Sequence, residues 1–166
     1  MLKEKIQKDL NSALKEKKEL EVSVLRLLLS AIFNKEKEKR YKLSKEKPEL
    51  KEEELEKESE LTDEKVIDVI SSEIKKRKES ILEFEKGKRP ELVEKEKKEL
   101  EILEKYLPEQ LSDDELKELV KQTKIKIKAE GPSDFGKLMG AVMKETKGRA
   151  DGLKVKQMVE ETLKTM

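Results

Sequence analysis

Leu2, Ile6, Leu10, Ala13 and Leu14 recur at spacings of three and four, which predicts an amphipathic first helix with one apolar side. The next stretch, Val22–Phe33, is the most apolar of the chain. Val22, Leu25, Leu28, Leu29, Ile32 and Phe33 share one broad helical face, and Leu27 and Ala31 lie nearly opposite. That two-sided pattern predicts a central helix. Between the two faces runs a polar stripe of Ser23, Arg26, Ser30 and Asn34. Arg26, the only charge in the run, reads either as an ion-paired or snorkelling core arginine or as one facing a ligand or RNA.

Polar positions then take over. From Lys35 to Lys65, 22 of 31 residues are charged and Pro48 interrupts the middle, which predicts a solvated helix extension and then a flexible connector over about 35–61. Order is expected to resume at Thr62, an N-cap followed by Asp63 and Glu64. Ile67, Ile70, Ile74, Ile81 and Phe84 form a seam with Arg77 in the missing position. Gly87-Lys88-Arg89-Pro90 reads as a stop, a turn and a restart, and Val93, Leu100, Leu103 and Leu107 answer on matching spacing. The two stripes predict an antiparallel helical hairpin. Its concentration of cations, Lys75, Lys76, Arg77, Lys78, Lys88 and Arg89, reads as a solvated face.

Pro108 ends this pattern. Ser112 and Glu115 form a capping box with Leu111 and Leu116 as its hydrophobic staple. Leu116, Leu119, Val120, Thr123 and Ile127 carry a new helix up to Gly131-Pro132. Ser133 or Asp134 then caps a helix lined on one side by Phe135, Leu138, Met139, Val142 and Met143. Its reverse side holds Gly136, Lys137, Gly140, Ala141 and Lys144. Asp151 caps a last helix with the stripe Val155, Met158, Val159, Leu163 and Met166. The expected fold is therefore all-α. A helical N-terminal domain with the hairpin covers 1–108, and a small three-helix domain covers 109–166.

Composition narrows the chemistry. Only 34% of residues are apolar and 3% aromatic, so the core must be thin and aliphatic. Forty basic residues against 39 acidic leave no global field for condensing nucleic acid, so a basic patch must be local. The chain has neither Cys nor His, which removes disulfides, thiolate chemistry, the commonest zinc ligands and the usual general base. No catalytic residue, metal site or cofactor is expected. Without a leader-like apolar region or a run long enough to cross a membrane, a cytoplasmic protein is expected.

The glycines of the penultimate helix ask for a reason. Each costs about 1 kcal/mol relative to alanine inside a helix. A close-packed neighbouring helix would supply one, and close approach of a nucleic-acid backbone flanked by Lys137 and Lys144 would supply another. From Lys121 onward there are 11 basic and 6 acidic residues, so the positive bias is confined to the last third. The turn Lys147-Gly148-Arg149-Ala150-Asp151-Gly152 adds Lys147 and Arg149, near Lys154 and Lys156.

LRLLLSAIFN (25–34), EIKKRKESILEFEKGKRPELVEKEKKELEILEKYLPEQLS (73–112) and GKLMGAVM with KGRADG (136–152) resemble the YqeY-like proteins, free-standing relatives of the tail of the GatB subunit of glutamine-dependent aminoacyl-tRNA amidotransferase. YLPEQLS and the G-K-x-M-G…K-G-R-A-D-G pair are the most specific pieces. The connector 35–61 departs from the family pattern by its length and charge. The resemblance implies an all-α protein in two parts, linked to amidation of misacylated tRNA and bearing a carbon–nitrogen ligase label with glutamine as amido donor. It also implies tRNA as partner, with Gly136, Lys137, Gly140, Lys144, Lys147, Arg149 and Lys154 as candidate tRNA-facing residues. The residues themselves offer no amidase constellation and no phosphate-cradling loop, so the expected role is a non-catalytic tRNA-binding module. The alternative is a protein–protein adaptor, docking on the amidotransferase or another translation protein.

Overall fold

The computed structural model describes residues 1–164, so the expectation for Met166 lies outside the described residues. Among these, eight α-helices and no strand are found, and the fold class is all-α. The chain forms two compact units, Met1–Tyr106 and Leu107–Met166.

The first unit comprises α1 (Leu2–Lys15), α2 (Glu19–Glu46), α3 (Glu52–Ser59), α4 (Asp63–Lys86) and α5 (Pro90–Glu104). Helix α2 touches each of the other four, as a central helix must. Its burial is nevertheless one-sided. Val22, Val24, Leu25, Leu28 and Ile32 are inside, whereas Leu27 and Phe33 stand more than half exposed. The four neighbours gather on one arc of α2 and leave the opposite arc to solvent. The first helix behaves similarly, burying Ile6, Leu10 and Ala13 while Leu14 stays largely outside.

The expected flexible connector is instead helical. Helix α2 continues to Glu46, and α3 folds back along it. Arg40 Nη1 reaches Glu56 Oε1 at 3.1 Å, Lys47 Nζ reaches Glu58 Oε2 at 2.7 Å, and Lys39 Nζ donates to the Glu60 carbonyl at 3.0 Å. Beneath them lies Glu36, buried on α2. Its carboxylate accepts from Lys3 Nζ at 2.7 and 2.8 Å and from the Leu61 N–H at 3.2 Å. One anion thus joins α1, α2 and the approach to α4.

Thr62 caps α4 by accepting from the Lys65 N–H at 3.4 Å. Val66, Val69, Ile70, Ile74 and Ile81 form the buried side of α4, with Ile67 and Phe84 only half-buried. The turn to α5 differs from its sequence reading in one respect. Gly87 has an ordinary φ of −76°, and the left-handed residue is Lys88 at φ 53°. Arg77 is not on a solvated face either. It lies inside the α4–α5 contact, with Nη1 3.4 Å from Glu73, Nε 3.2 Å from Glu99 and 3.8 Å from Glu96. The position lacking an apolar residue in the seam is therefore filled by a buried charge cluster. Buried Nε makes no properly angled hydrogen bond, although Glu99 is close.

Tyr106 closes this unit onto its first helix. Its hydroxyl donates to Asp9 Oδ2 at 2.7 Å. Burial, then the hydrogen bond to Asp9 and its charge, push the phenol above its ordinary value of about 10. A folded-state value raised above the unfolded one gives stability that is whole below about pH 10 and is lost as pH rises beyond it. Tyr106→Phe should cost about 1 kcal/mol at neutral pH. It should also flatten the alkaline fall in denaturant midpoint relative to the parent. Equal alkaline slopes in the two proteins would exclude this role.

Candidate functional site

The second unit is a three-helix core of α6 (Asp113–Ile127), α7 (Phe135–Thr146) and α8 (Gly152–Lys164). Ser112 starts α6 as read from the sequence. Its Oγ accepts from the Glu115 N–H at 3.3 Å while Glu115 Oε2 accepts from the Ser112 N–H at 2.9 Å. Those Ser112 hydrogen bonds, backbone first, hold the Glu115 carboxyl below the usual carboxylate range, and the Arg149 charge adds to them. Leu116, Val120, Leu138, Val142, Val155, Val159 and Leu163 make the core, with Leu111, Phe135, Met139 and Met158 packed at its edge.

A short 3-10 turn, Pro132–Asp134, leads into α7. Neither Ser133 nor Asp134 caps the helix with its side chain, and Asp134 Oδ2 instead accepts from the Glu130 N–H at 2.9 Å. Leu138 and Val142 point inward, which turns Gly136, Gly140 and Lys144 to the opposite side. Both glycines are exposed, and a Cβ built at either meets nothing within 4 Å. Among the described residues no neighbouring helix uses them for close packing, so close helix packing does not account for the two helical glycines. Neither residue has a positive φ that would demand glycine.

The seven candidate residues separate into two groups. Gly136, Gly140 and Lys144 lie along one strip, with Lys147 at its C-terminal end and Met143, 41% exposed, beside it. Lys144 is exposed and makes no hydrogen bond or ion pair among the described residues. Lys147 adopts φ 46° as the left-handed cap of α7, and its charge helps lower Glu145, whose chief partner is Lys126. The other three are engaged within the unit. Lys137 Nζ donates to the Ile127 carbonyl at the end of α6 (3.1 Å), where the helix dipole favours a cation. Lys154 Nζ pairs with Asp113 at 3.0 Å, and Arg149 Nε donates to the Glu109 carbonyl at 3.1 Å.

Arg149 belongs to an arrangement that the sequence did not disclose. Leu111 N–H donates to the Arg149 carbonyl at 2.7 Å, and Gln110 Nε2 donates to the Gly148 carbonyl at 3.0 Å. Glu109, Gln110 and Leu111 are thus held against Gly148 and Arg149, and the PEQL and KGR segments form one clasp. Gly148 sits at φ 79°, which explains its glycine. Asp151 then caps α8 by accepting from the Leu153 N–H at 2.8 Å. The basic turn is chiefly a structural joint.

Charge follows the same division. Residues 107–166 together carry 12 basic and 11 acidic side chains, because the first turn of α6 is acidic and meets Lys154 and Arg149. The positive character that remains is local to the α7 strip. Arg26, on the other unit, is exposed and makes no ion pair among the described residues, so its core reading is corrected.

Taken together, these features define an all-α, charge-dense protein with an open glycine–lysine helix face. Among the described residues there is no cluster of three or more potential metal ligands, and no helix is long and apolar enough to cross a membrane. Residues 34–163 match the family described as Yqey-like protein, and the chain belongs to that family. It is also similar to altered inheritance of mitochondria protein 41, mitochondrial, from Pyrenophora tritici-repentis (strain Pt-1C-BFP). The two are 37% identical over 105 residues, which span 61% of this chain and 58% of that relative.

Proposed function

We propose that this chain is a non-catalytic tRNA-binding accessory module that works beside a glutamine-dependent tRNA amidotransferase, the chemistry residing in its partner. One observation carries the reading. Gly136 and Gly140 each weaken α7 by about 1 kcal/mol, yet no group among the described residues would touch a Cβ at either. A sugar–phosphate backbone laid along the strip would come close where side chains are missing, with Lys144 and Lys147 supplying cations. Lys137, Arg149 and Lys154 support this surface from within the unit. The cytoplasm is the expected compartment. The mitochondrial name belongs to the relative, and tRNA is present in either place.

Gly136→Ala and Gly140→Ala should each stabilise the protein by about 1 kcal/mol, because a methyl group meets open space and helix propensity rises. Gly140→Leu should likewise fold well. In an electrophoretic shift with a tRNA pool, however, Gly140→Leu should bind about tenfold more weakly, and Lys144→Glu should lower the salt slope by about one. A Gly140→Leu protein that is stabler and binds tRNA as well as the parent would defeat the reading. Met143, exposed beside the glycines, favours the second reading of an adaptor face for a partner helix. Retention on the amidotransferase core after nuclease treatment would select it.

A further inference from the structure

Helix α2 carries a face of different character from the rest of the molecule. Between Val22 and Lys45 its solvent side bears Arg26, Phe33, Lys37, Tyr41 and Lys45, all exposed. From Ser23 to Lys45 no carboxylate of α2 shares that side, and Glu19, at the start of the helix, lines the same concavity as Arg26. Glu36 is buried on the opposite arc, and Glu38 lies at the margin, paired with Lys35 at 2.8 Å. Acid-free over about six turns is unusual in a chain with 39 acidic residues.

The aromatic residues sharpen the contrast. The chain has three Phe and two Tyr, and two of these five stand outside on this one face, Phe33 at 53% and Tyr41 at 66% exposure. A core so poor in aromatic residues forgoes two of them. Each ring has a lysine four residues further on. Lys37 Nζ lies 5.7 Å from the Phe33 centroid, and Lys45 Nζ lies 5.4 Å from that of Tyr41. One face of each ring is thereby supplied with a cation, and the exposed remainder is left for a planar partner.

We propose that this face of α2 binds single-stranded RNA, stacking bases on Phe33 and Tyr41 and pairing phosphates with Arg26, Lys37 and Lys45. Rings interleaved with cations are what a polynucleotide needs, since every base offers a π-face and every nucleotide a charge. The rings are about 12 Å apart along the axis, a span of about three stacked nucleotides. Asn34, exposed between them, and Ser30, exposed one turn before Phe33, offer partners to a 2′-hydroxyl, which favours RNA over DNA. A protein partner would instead meet a patch whose middle is charged, where interface cores are depleted of charge. This surface lies on the first unit and does not depend on the α7 strip.

The test is fluorescence anisotropy of the full chain with a labelled, unstructured RNA oligonucleotide, carried out in a Gly140→Leu, Lys144→Glu background so that binding at the α7 strip is already weakened. Phe33→Ala with Tyr41→Ala should weaken binding by about tenfold or more, since each stacked base contributes at that level. Tyr41→Phe should retain the affinity, and Lys37→Glu with Lys45→Glu should flatten the salt dependence. These side chains are exposed, so unchanged helical circular dichroism should accompany every substitution. Unaltered affinity in the double alanine variant would overturn the proposal. So would DNA of the same sequence binding more tightly than RNA, or polyglutamate binding with the same affinity as the oligonucleotide.

Discussion

Replacing Arg77 with alanine should cost about 3–5 kcal/mol, the largest loss expected from any single polar side chain here. Three carboxylates, Glu73, Glu96 and Glu99, surround the guanidinium within 3.8 Å, and the four side chains are between 11% and 20% exposed. Removing the cation leaves like charges facing one another at low dielectric. Lys76 reaches Glu73 at 2.6 Å but lies mostly in solvent and cannot neutralise the other two. Arg77→Lys should rescue only part of the loss, because an ammonium cannot span carboxylates from both helices. Arg77→Leu with Glu99→Leu should recover more than the single changes sum to, as apolar replacement of a buried ion pair often does. Urea midpoints report the loss, and hydrogen exchange at α4 and α5 amides locates it. A cost below about 1 kcal/mol would mean that water reaches the cluster and screens it.

Glu36→Ala is expected to follow at about 3 kcal/mol, since it removes a charged acceptor from the half-buried Leu61 N–H and from Lys3 together. Glu36→Gln keeps an acceptor for the N–H and should lose roughly half as much. The loss should concentrate in α3 and at the start of α1, where Leu2 N–H also binds Asp63 at 2.8 Å. Protease sensitivity should rise between residues 47 and 62 in the alanine variant before it rises elsewhere. If cleavage there is unchanged, Glu36 is not what orders the charged segment.

These two residues mark where the sequence stops being informative. Helix positions and the Ser112 capping box follow from apolar spacing and cap chemistry, which are local properties. Glu36, in contrast, stands in Lys35-Glu36-Lys37-Glu38-Lys39-Arg40, where each acid has the same neighbours. Only the docking of α1 and the Leu61 junction selects one of them for burial. Arg77 could be seen as a gap in a seam, but not that three acids converge on it. Phe33 and Leu27 failed for the opposite reason. Hydrophobicity alone assigned them to the core, whereas the number of neighbours around α2 decided how wide its buried arc became.

The candidate site was partly legible. The glycine spacing on α7 is visible in the sequence, yet whether a neighbour fills the gap depends on how α6 and α8 pack. Lys137, Arg149 and Lys154 look like free cations in one dimension. In three, they bind the Ile127 carbonyl, the Glu109 carbonyl and Asp113.

The clasp between PEQL and KGR also bears on synthesis. Its side-chain bonds join residues 38 and 40 positions apart, on either side of α6 and α7. On a ribosome, the first unit has its full set of described helices once Tyr106 has emerged, and it folds first. The second must hold α6 open, with Leu116 and Val120 uncovered, until both α7 and α8 have left the exit tunnel. Nascent chains that have exposed α6 but not yet α8 should therefore be the ones that chaperones engage, and release should coincide with the emergence of α8.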